Sequence, residues 1–298
     1  MEMLTLTHVA KHFGEKQVLK DVSFSVPEHT VFGFVGKNGA GKTTAMKLIL
    51  GLLAGDGGEI SVNGTPVRYG NGSASQYVGY LPDVPVFYDY MTPEEYLCFC
   101  GEIAGMSKRE RKARSEELLR LVGLEQETRR IQGFSRGMKQ RLGIAQALFC
   151  RPRLLICDEP TSALDPVGRR ELLDLLVNAK EQATVLFSTH ILSDVEQICD
   201  EIAFLHEGKI VMQGPLEKMR KKRKDTPAEL ELERKEDAEF LLSEFPFLES
   251  LGRNRILLRE TGRLPELLRV IADRRLSILR LEQQEATLED LFLKVVGE

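Results

Sequence analysis

Apolar and polar positions alternate along the first part of the chain. Leu4-Thr5-Leu6 reads apolar-polar-apolar, and Val22, Phe24 and Val26 alternate before Pro27. That period of two predicts half-buried strands, with Gly14-Glu15-Lys16 as a turn. Thr30-Val31-Phe32-Gly33-Phe34-Val35 is instead a short apolar run, the pattern of a buried strand. Residues 45–50 read as a helix, Gly55-Asp56-Gly57-Gly58 as a break, 59–62 as a strand and Asn63-Gly64 as a hairpin turn. A polar loop over 70–76 precedes Val78-Gly79-Tyr80-Leu81, a strand that stops at Pro82-Asp83.

The texture changes over residues 92–149. Thr92-Pro93-Glu94-Glu95 offers a capping threonine, a proline at the first helical position and acids in the first turn. Further helices are expected near 108–122 and 137–149, with Lys108, Arg109, Arg111, Lys112 and Arg114 on a solvated face. Strands at 154–157, 183–188, 201–205 and 210–212 then alternate with helices at 169–179 and 191–198. Such alternation implies a largely parallel sheet covered on both faces. A basic run over 219–224 and the break Asp225-Thr226-Pro227 place a boundary, giving a domain over 1–218 and an appendage over 219–298. Strands at 230–232, 256–258 and 276–281, with helices near 237–244, 264–273 and 287–296, make the appendage a small α+β unit.

Composition narrows the class. The chain has 298 residues, 42% hydrophobic and 29% charged, with a net charge of −4. That is the balance of a soluble globular protein and argues against a generic nucleic-acid binder, although a local basic patch stays open. The N-terminus lacks the basic start and apolar core of a signal peptide, and no apolar run approaches the roughly 20 residues of a membrane helix. Cysteines 98, 100, 150, 157 and 199 have no zinc spacing and read as reduced thiols.

Chemistry concentrates in Gly36-Lys37-Asn38-Gly39-Ala40-Gly41-Lys42-Thr43-Thr44, which matches the phosphate-loop pattern G-x-x-x-x-G-K-[ST]. Its glycines let backbone N–H groups close on phosphate oxygens, Lys42 adds a cation, and the Thr43 hydroxyl suits Mg²⁺. The helix that follows would turn its free N–H groups to the same anion. Asp158 ends a buried strand, where an acid is costly unless it meets a cation or strong donors. That fits the acid that holds Mg²⁺, and Glu159 beside it could orient or deprotonate an attacking water. Phe13, just before the turn, reads locally as ordinary packing more readily than as an aromatic plate for adenine.

These motifs, with those that follow them, make the chain resemble the ATP-binding subunit of an ABC transporter over roughly residues 4–215. Phe134-Ser135-Arg136-Gly137-Met138-Lys139-Gln140-Arg141 is similar to the family's signature segment, residues 154–159 to its second nucleotide motif, and Ser162-Ala163-Leu164-Asp165 to its D-loop. Ser188-Thr189-His190 ends in the switch histidine, and Phe13 matches the adenine-stacking aromatic. The resemblance implies an α/β P-loop ATPase core with an antiparallel β subdomain and a helical subdomain, plus the α+β appendage. It also implies ATP and Mg²⁺ as cofactors, with Thr43, Asp158 and Asp83 near the metal and Glu159, His190 and Asp83 in catalysis. Two ATPase subunits, alike or different, would pair head to tail. Ser135, Arg136, Gly137 and Met138 would then meet the opposing subunit's ATP, with Asp165 acting across the interface.

Three positions depart from the family pattern. Asp83 stands where glutamine is usual, Arg136 where the first signature glycine is usual, and Met138 where glutamine is usual. The tail Thr287-Leu288-Glu289-Asp290-Leu291-Phe292-Leu293 resembles that of ABC-2-type exporter subunits, which serve separately encoded polytopic membrane proteins. The expected place is the cytoplasmic face of the cell membrane, as a peripheral subunit. Pro85-Val86-Phe87-Tyr88 would receive the membrane partner's coupling helix, and no nucleic-acid partner is expected.

Overall fold

The computed structural model describes residues 1–221, 227–259, 261–283, 288–289 and 291–292. They divide into two compact units, Met1–Leu216 and Glu217–Glu298.

The first unit opens with the antiparallel pair β1 (Glu2–Phe13) and β2 (Lys16–Pro27). Strand β3 (Val31–Val35) leads to α1 (Lys42–Ile49), and β4 (Gly57–Val62), β5 (Thr65–Pro66) and β6 (Val78–Leu81) follow. Three helices come next: α2 (Pro93–Ile103), α3 (Lys108–Leu121) and α4 (Arg136–Leu148). Then β7 (Leu154–Asp158), α5 (Pro166–Ala179), β8 (Thr184–Thr189), α6 (Leu192–Ile198), β9 (Glu201–His206) and β10 (Lys209–Pro215) complete the run, and α7 (Leu216–Lys221) starts at the unit's last residue. Among the described residues the strands make one ten-stranded sheet, ordered β5-β4-β1-β2-β10-β9-β3-β8-β7-β6.

The sheet has two textures. From β9 to β6 neighbouring strands are parallel, and every residue of β3, β7 and β8 is buried, which explains the apolar run of β3 and the apolar stretches 154–157 and 185–187. From β5 to β2 the pairing is antiparallel, and β10 runs antiparallel to β9. The parallel character is therefore concentrated from β9 to β6, with one further parallel contact where β10 meets β2. Phe24 of β2 stacks on Phe32 and Phe34 of β3 at ring separations of 5.7 and 5.2 Å, joining the two halves.

Strand β1 runs well past Leu6. Register shifts between Leu6 and Val9 and on either side of Lys11 break its alternation, and His8 adopts φ 53°, so the pattern of two fades although pairing continues. Capping boxes start α2 and α3: Thr92 with Glu95, and Ser107 with Glu110. Helix α5 begins at Pro166 rather than 169, because proline at the first helical position and Asp165 at the cap set its start.

One expectation is corrected here. Arg114 is not on a solvated face but buried, at 6% exposure. Its guanidinium donates to the Leu148 and Phe149 carbonyls, which end α4 and have no partner inside that helix.

The second unit holds β11 (Ala228–Leu232), α8 (Lys235–Glu244), β12 (Leu248–Gly252), β13 (Arg255–Leu258), α9 (Leu264–Asp273) and β14 (Ile278–Gln283). Its antiparallel sheet is ordered β12-β13-β11-β14, a β-α-β-β-α-β arrangement of ferredoxin-like form. Leu230, Leu232, Ile256 and Leu258 of the sheet pack with Leu241, Leu267 and Ile271 of its helices. Strand β12 escapes the sequence pattern because only Leu248 in it is buried. Residues 222–224 of the basic run and Thr287, Asp290 and Leu293 of the tail lie outside the described residues.

Candidate nucleotide site

The phosphate loop connects the buried end of β3 to α1. Gly36 cannot carry a side chain there, because a Cβ would lie 2.6 Å from the Leu205 carbonyl oxygen. Gly41, at φ 111°, occupies the left-handed region and sits at the cap of α1 with no side chain capping the helix. The first N–H groups of α1 are therefore left for an external anion. Asn38, Gly39, Gly41, Lys42, Thr43 and Thr44 line one wall of a cleft of about 420 Å³. Val18, Asp83, Glu159, Ser162 and His190 line the rest.

Lys42 is 5% exposed, and its ammonium donates to the Gly36 carbonyl at 2.6 Å. It also lies 3.0 Å from Glu159 Oε1. That contact is an ion pair without hydrogen-bond alignment, and Glu159 Oε1 is buried with no hydrogen-bond partner among the described residues. The other oxygen, Oε2, is 2.9 Å from His190 Nδ1. A carboxylate only accepts, so Nδ1 carries the proton in that bond. Glu159 thus sits between two cationic or donor groups at the mouth of the loop, with one oxygen ready for another donor.

The backbone of Glu159 has φ 47°, a conformation that few side-chain-bearing residues adopt. Its N–H donates to both the carbonyl and the hydroxyl of Ser188, each at 3.1 Å. The same hydroxyl donates to Asp158 Oδ1 at 2.6 Å. Asp158 is 3% exposed, so this donor answers part of the cost of burying its charge. Burial, and next the charge of Asp158, push the neighbouring Tyr80 hydroxyl up to about 12.

Thr43, Asp83, Asp158 and Glu159 supply hard oxygens, the donor set that Mg²⁺ prefers. No group of three or more His, Cys, Asp or Glu is gathered for a metal among the described residues. The oxygen donors fit Mg²⁺, which is usually held by one or two protein oxygens together with phosphate and water.

The other sequence-derived positions fall outside the cleft lining. Phe13 ends β1 with its ring 49% exposed and Lys11 Nζ 5.4 Å from its centroid. Ser135 caps α4, its hydroxyl accepting from the Met138 N–H at 3.2 Å. Arg136 and Gly137 form the first turn of that helix, and Asp165 is exposed at the cap of α5 without a capping bond.

Sequence reasoning did not single out Val18, Ser162 or Gln140. Ser162 and Gln140 lay inside quoted motifs, whereas nothing near Val18 marks it. The Ser162 hydroxyl donates to Asp83 Oδ1 at 2.5 Å, and Gln140 donates to the Asp83 carbonyl at 2.6 Å.

A phosphate loop between a buried strand and a helix, facing an acid pair at the end of a parallel strand one removed in the sheet, defines a P-loop nucleoside triphosphatase. Comparison with known proteins identifies which one. Residues 19–162 match the family model described as "ABC transporter". The chain is 38% identical over 301 residues to the uncharacterized ABC transporter ATP-binding protein YxlF of Bacillus subtilis, covering 99% of each. It is 34% identical over 302 residues to the bacitracin transport ATP-binding protein BcrA of Bacillus licheniformis, covering 99% of this chain and 97% of that one. A solved ATP-binding subunit of an ABC transporter superposes with a TM-score of 0.66 at 35% identity, over 74% of this chain and 92% of that one. The chain belongs to the ABC transporter ATP-binding proteins, a family that binds and hydrolyses ATP.

Proposed function

We propose that this chain is the ATP-hydrolysing subunit of an exporter whose polytopic membrane subunit is encoded separately. The observation that carries the reading is the Glu159 carboxylate, held between Lys42 and His190 at the mouth of the phosphate loop. In this role Lys42 and the N–H groups of the loop bind the β- and γ-phosphates, while Phe13 stacks on the adenine. Glu159 takes the proton of a water whose oxygen attacks the γ-phosphorus, and the bond to the β-phosphate oxygen breaks as ADP leaves. His190 holds the γ-phosphate. Thr43 and Asp158 would hold Mg²⁺, which when bound offsets charge on the phosphates.

Ser135, Gly137 and Asp165 do not line the cleft of their own chain, which suits residues that act on a second subunit. Ser135 and Gly137 stand at the N-terminus of α4, a natural anion site, and Asp165 at the cap of α5. ATP then joins two chains head to tail, and hydrolysis removes the contacts that favour the joined state. Similarity to a bacitracin transport ATP-binding protein along nearly the whole chain supports transport, and the likeness of the tail to ABC-2-type exporter subunits supports its outward direction. No helix among the described residues is long and apolar enough to cross a membrane. In this reading the membrane subunit holds the chain at the cytoplasmic face. The exposed Val86 and Tyr88 offer that partner an apolar surface.

The test is Glu159→Gln. The variant should bind ATP, pair in its presence by size-exclusion chromatography, and hydrolyse it at least about 100-fold more slowly. Hydrolysis at the wild-type rate would refute the role of Glu159. Affinity capture from gently solubilised membranes tests the partner: recovery of a polytopic protein at near-equal stoichiometry supports transport, whereas recovery of ribosomes or nucleic acid rejects it.

A further inference from the structure

We propose that Arg136 is a positioning residue for the nucleotide cleft of its own chain: with Ser162 it holds the Asp83 carboxylate aside from the triphosphate. The inference rests on reading the cleft as the ATP site. Asp83 lines that cleft with Lys42, Thr43 and Glu159. The only lysine in the lining is already 3.0 Å from Glu159. A second carboxylate there has no cation inside the cleft, and a third phosphate would be repelled more than a second.

Its partner comes from outside. Arg136 Nη2 donates to Asp83 Oδ1 at 3.3 Å and to Ser162 Oγ at 3.1 Å. Ser162 Oγ donates to the same Oδ1 at 2.5 Å, which closes a three-membered ring of contacts. One turn further along α4, the fully buried Gln140 donates to the Asp83 carbonyl at 2.6 Å. Helix α4 therefore grips residue 83 twice, by backbone and by side chain. The two departures from the family pattern, aspartate for glutamine and arginine for glycine, are each other's partners.

The position of Arg136 argues against a role in helix stability. It is the first residue of α4, where the helix dipole disfavours a cation. An arginine kept for the helix alone would be misplaced, whereas one kept for Asp83 is well placed. Its side chain is 44% exposed, so its removal leaves no cavity in the core.

The experiment is equilibrium binding of ATP and of ADP in EDTA, where hydrolysis does not run, at protein concentrations where the chain is monomeric. Arg136→Ala should weaken ATP about tenfold and ADP less than about twofold, since the exposed carboxylate acts most on the γ-phosphate. Adding Asp83→Asn should restore ATP binding to within about twofold of wild type, and Arg136→Lys should retain most of it. The thermal midpoint should not fall in any of them. Equal loss of both nucleotides, or a loss that persists in the double variant, would overturn the proposal. So would a loss seen only at concentrations where chains pair, which would put Arg136 on the opposing subunit's nucleotide. Lys42→Ala separates the two readings. If it binds ATP normally, the cleft is not the nucleotide site; if it loses ATP while Arg136→Ala binds both nucleotides normally, only the present inference fails.

Discussion

Replacing Asp194 should damage both the fold of the first unit and turnover, by an amount that the structure allows one to work out. Asp194 lies on α6, four residues past His190, and is 1% exposed. Its Oδ2 accepts from the Thr161 hydroxyl at 2.7 Å and its Oδ1 from Arg169 Nε at 2.5 Å. Thr161 stands two residues past Glu159 and is itself 2% exposed. The carboxylate thus ties the segment carrying Glu159 to the helix behind His190. In Asp194→Ala the buried hydroxyl of Thr161 loses its acceptor, at a cost of about 1–2 kcal/mol. Arg169 loses a charge-assisted bond, but its side chain is 29% exposed and Ser193 still accepts from it, so about 1 kcal/mol is a fair share. The sum is about 2–3 kcal/mol, roughly a 30- to 150-fold change in the unfolding equilibrium. Thr161→Val removes one donor only and should cost about 1 kcal/mol. Urea unfolding followed by circular dichroism reads both, since the chain has no tryptophan. Any transition carried by residues 217–298 should stay in place and serve as an internal control. A shift below about 1 kcal/mol for Asp194→Ala would refute the reasoning, because it would mean that the buried hydroxyl and the guanidinium found new partners at no cost.

Further perturbations test other parts of the same account. Gly36→Ala places a methyl group against the Leu205 carbonyl, so the loop must move; ATP affinity measured by fluorescence titration should fall by at least about tenfold. His190→Ala removes the group 2.9 Å from Glu159 Oε2 and should lower kcat by about 100-fold while ATP binding changes little, as steady-state kinetics would show. Acid stability should depend on the two capping boxes. Hydrogen bonds from the Thr92 and Ser107 backbone and hydroxyl groups hold the Glu95 and Glu110 carboxyls below their ordinary values. A lowered folded-state pKa gives stability that is present above about pH 4.5 and is lost as pH falls through the folded-state value. A Glu95→Ala, Glu110→Ala double variant should therefore be less stable than wild type near neutrality and converge on it as the pH falls through the lowered folded-state values, read by thermal unfolding across pH.

Much of the fold is legible because local and tertiary demands agree. Strands β3, β7 and β8 are buried throughout, so β3 and β7 are nearly unbroken apolar runs and β8 is apolar at its centre. The helix starts at Thr92 and Ser107 are written in capping residues that do the same work in isolation as in the fold. Illegible features are those that a residue acquires only from distant neighbours. Arg114 has the composition of a solvated face and is buried because the carbonyls ending α4 need donors. Strand β12 has one buried residue and hence no period to detect. Val18 belongs to the cleft because β2 passes the phosphate loop, where a Cβ on Gly41 would meet the Val18 side chain at 3.2 Å.

The candidate site follows the same division, and the division explains which residues remain proposals. The loop and the Asp158-Glu159 pair are contiguous in sequence, and their partners Ser188 and His190 sit within one strand end, so geometry inside one chain brings them together. Ser135 is different in kind. Its hydroxyl already has a use, accepting from Met138 at the start of α4, so its own chain gives it no reason to be a nucleotide ligand. A capping serine keeps a second lone pair and a donor proton, and the free N–H groups beside it point the same way as the helix axis. Capping and anion binding are therefore compatible in one residue, and the bond to Met138 orients the hydroxyl without exhausting it. That compatibility gives a sharp expectation for Ser135→Ala against Ser135→Asp. Both abolish the hydroxyl, but aspartate caps a helix as well as serine does and alanine does not. If Ser135 acts only as a cap, aspartate should restore both stability and ATP hydrolysis. If it also meets the opposing subunit's ATP, aspartate should restore the thermal midpoint while ATP-dependent pairing fails, since a carboxylate repels the phosphate that a hydroxyl would hold. Recovery of pairing with aspartate would remove Ser135 from the nucleotide contacts.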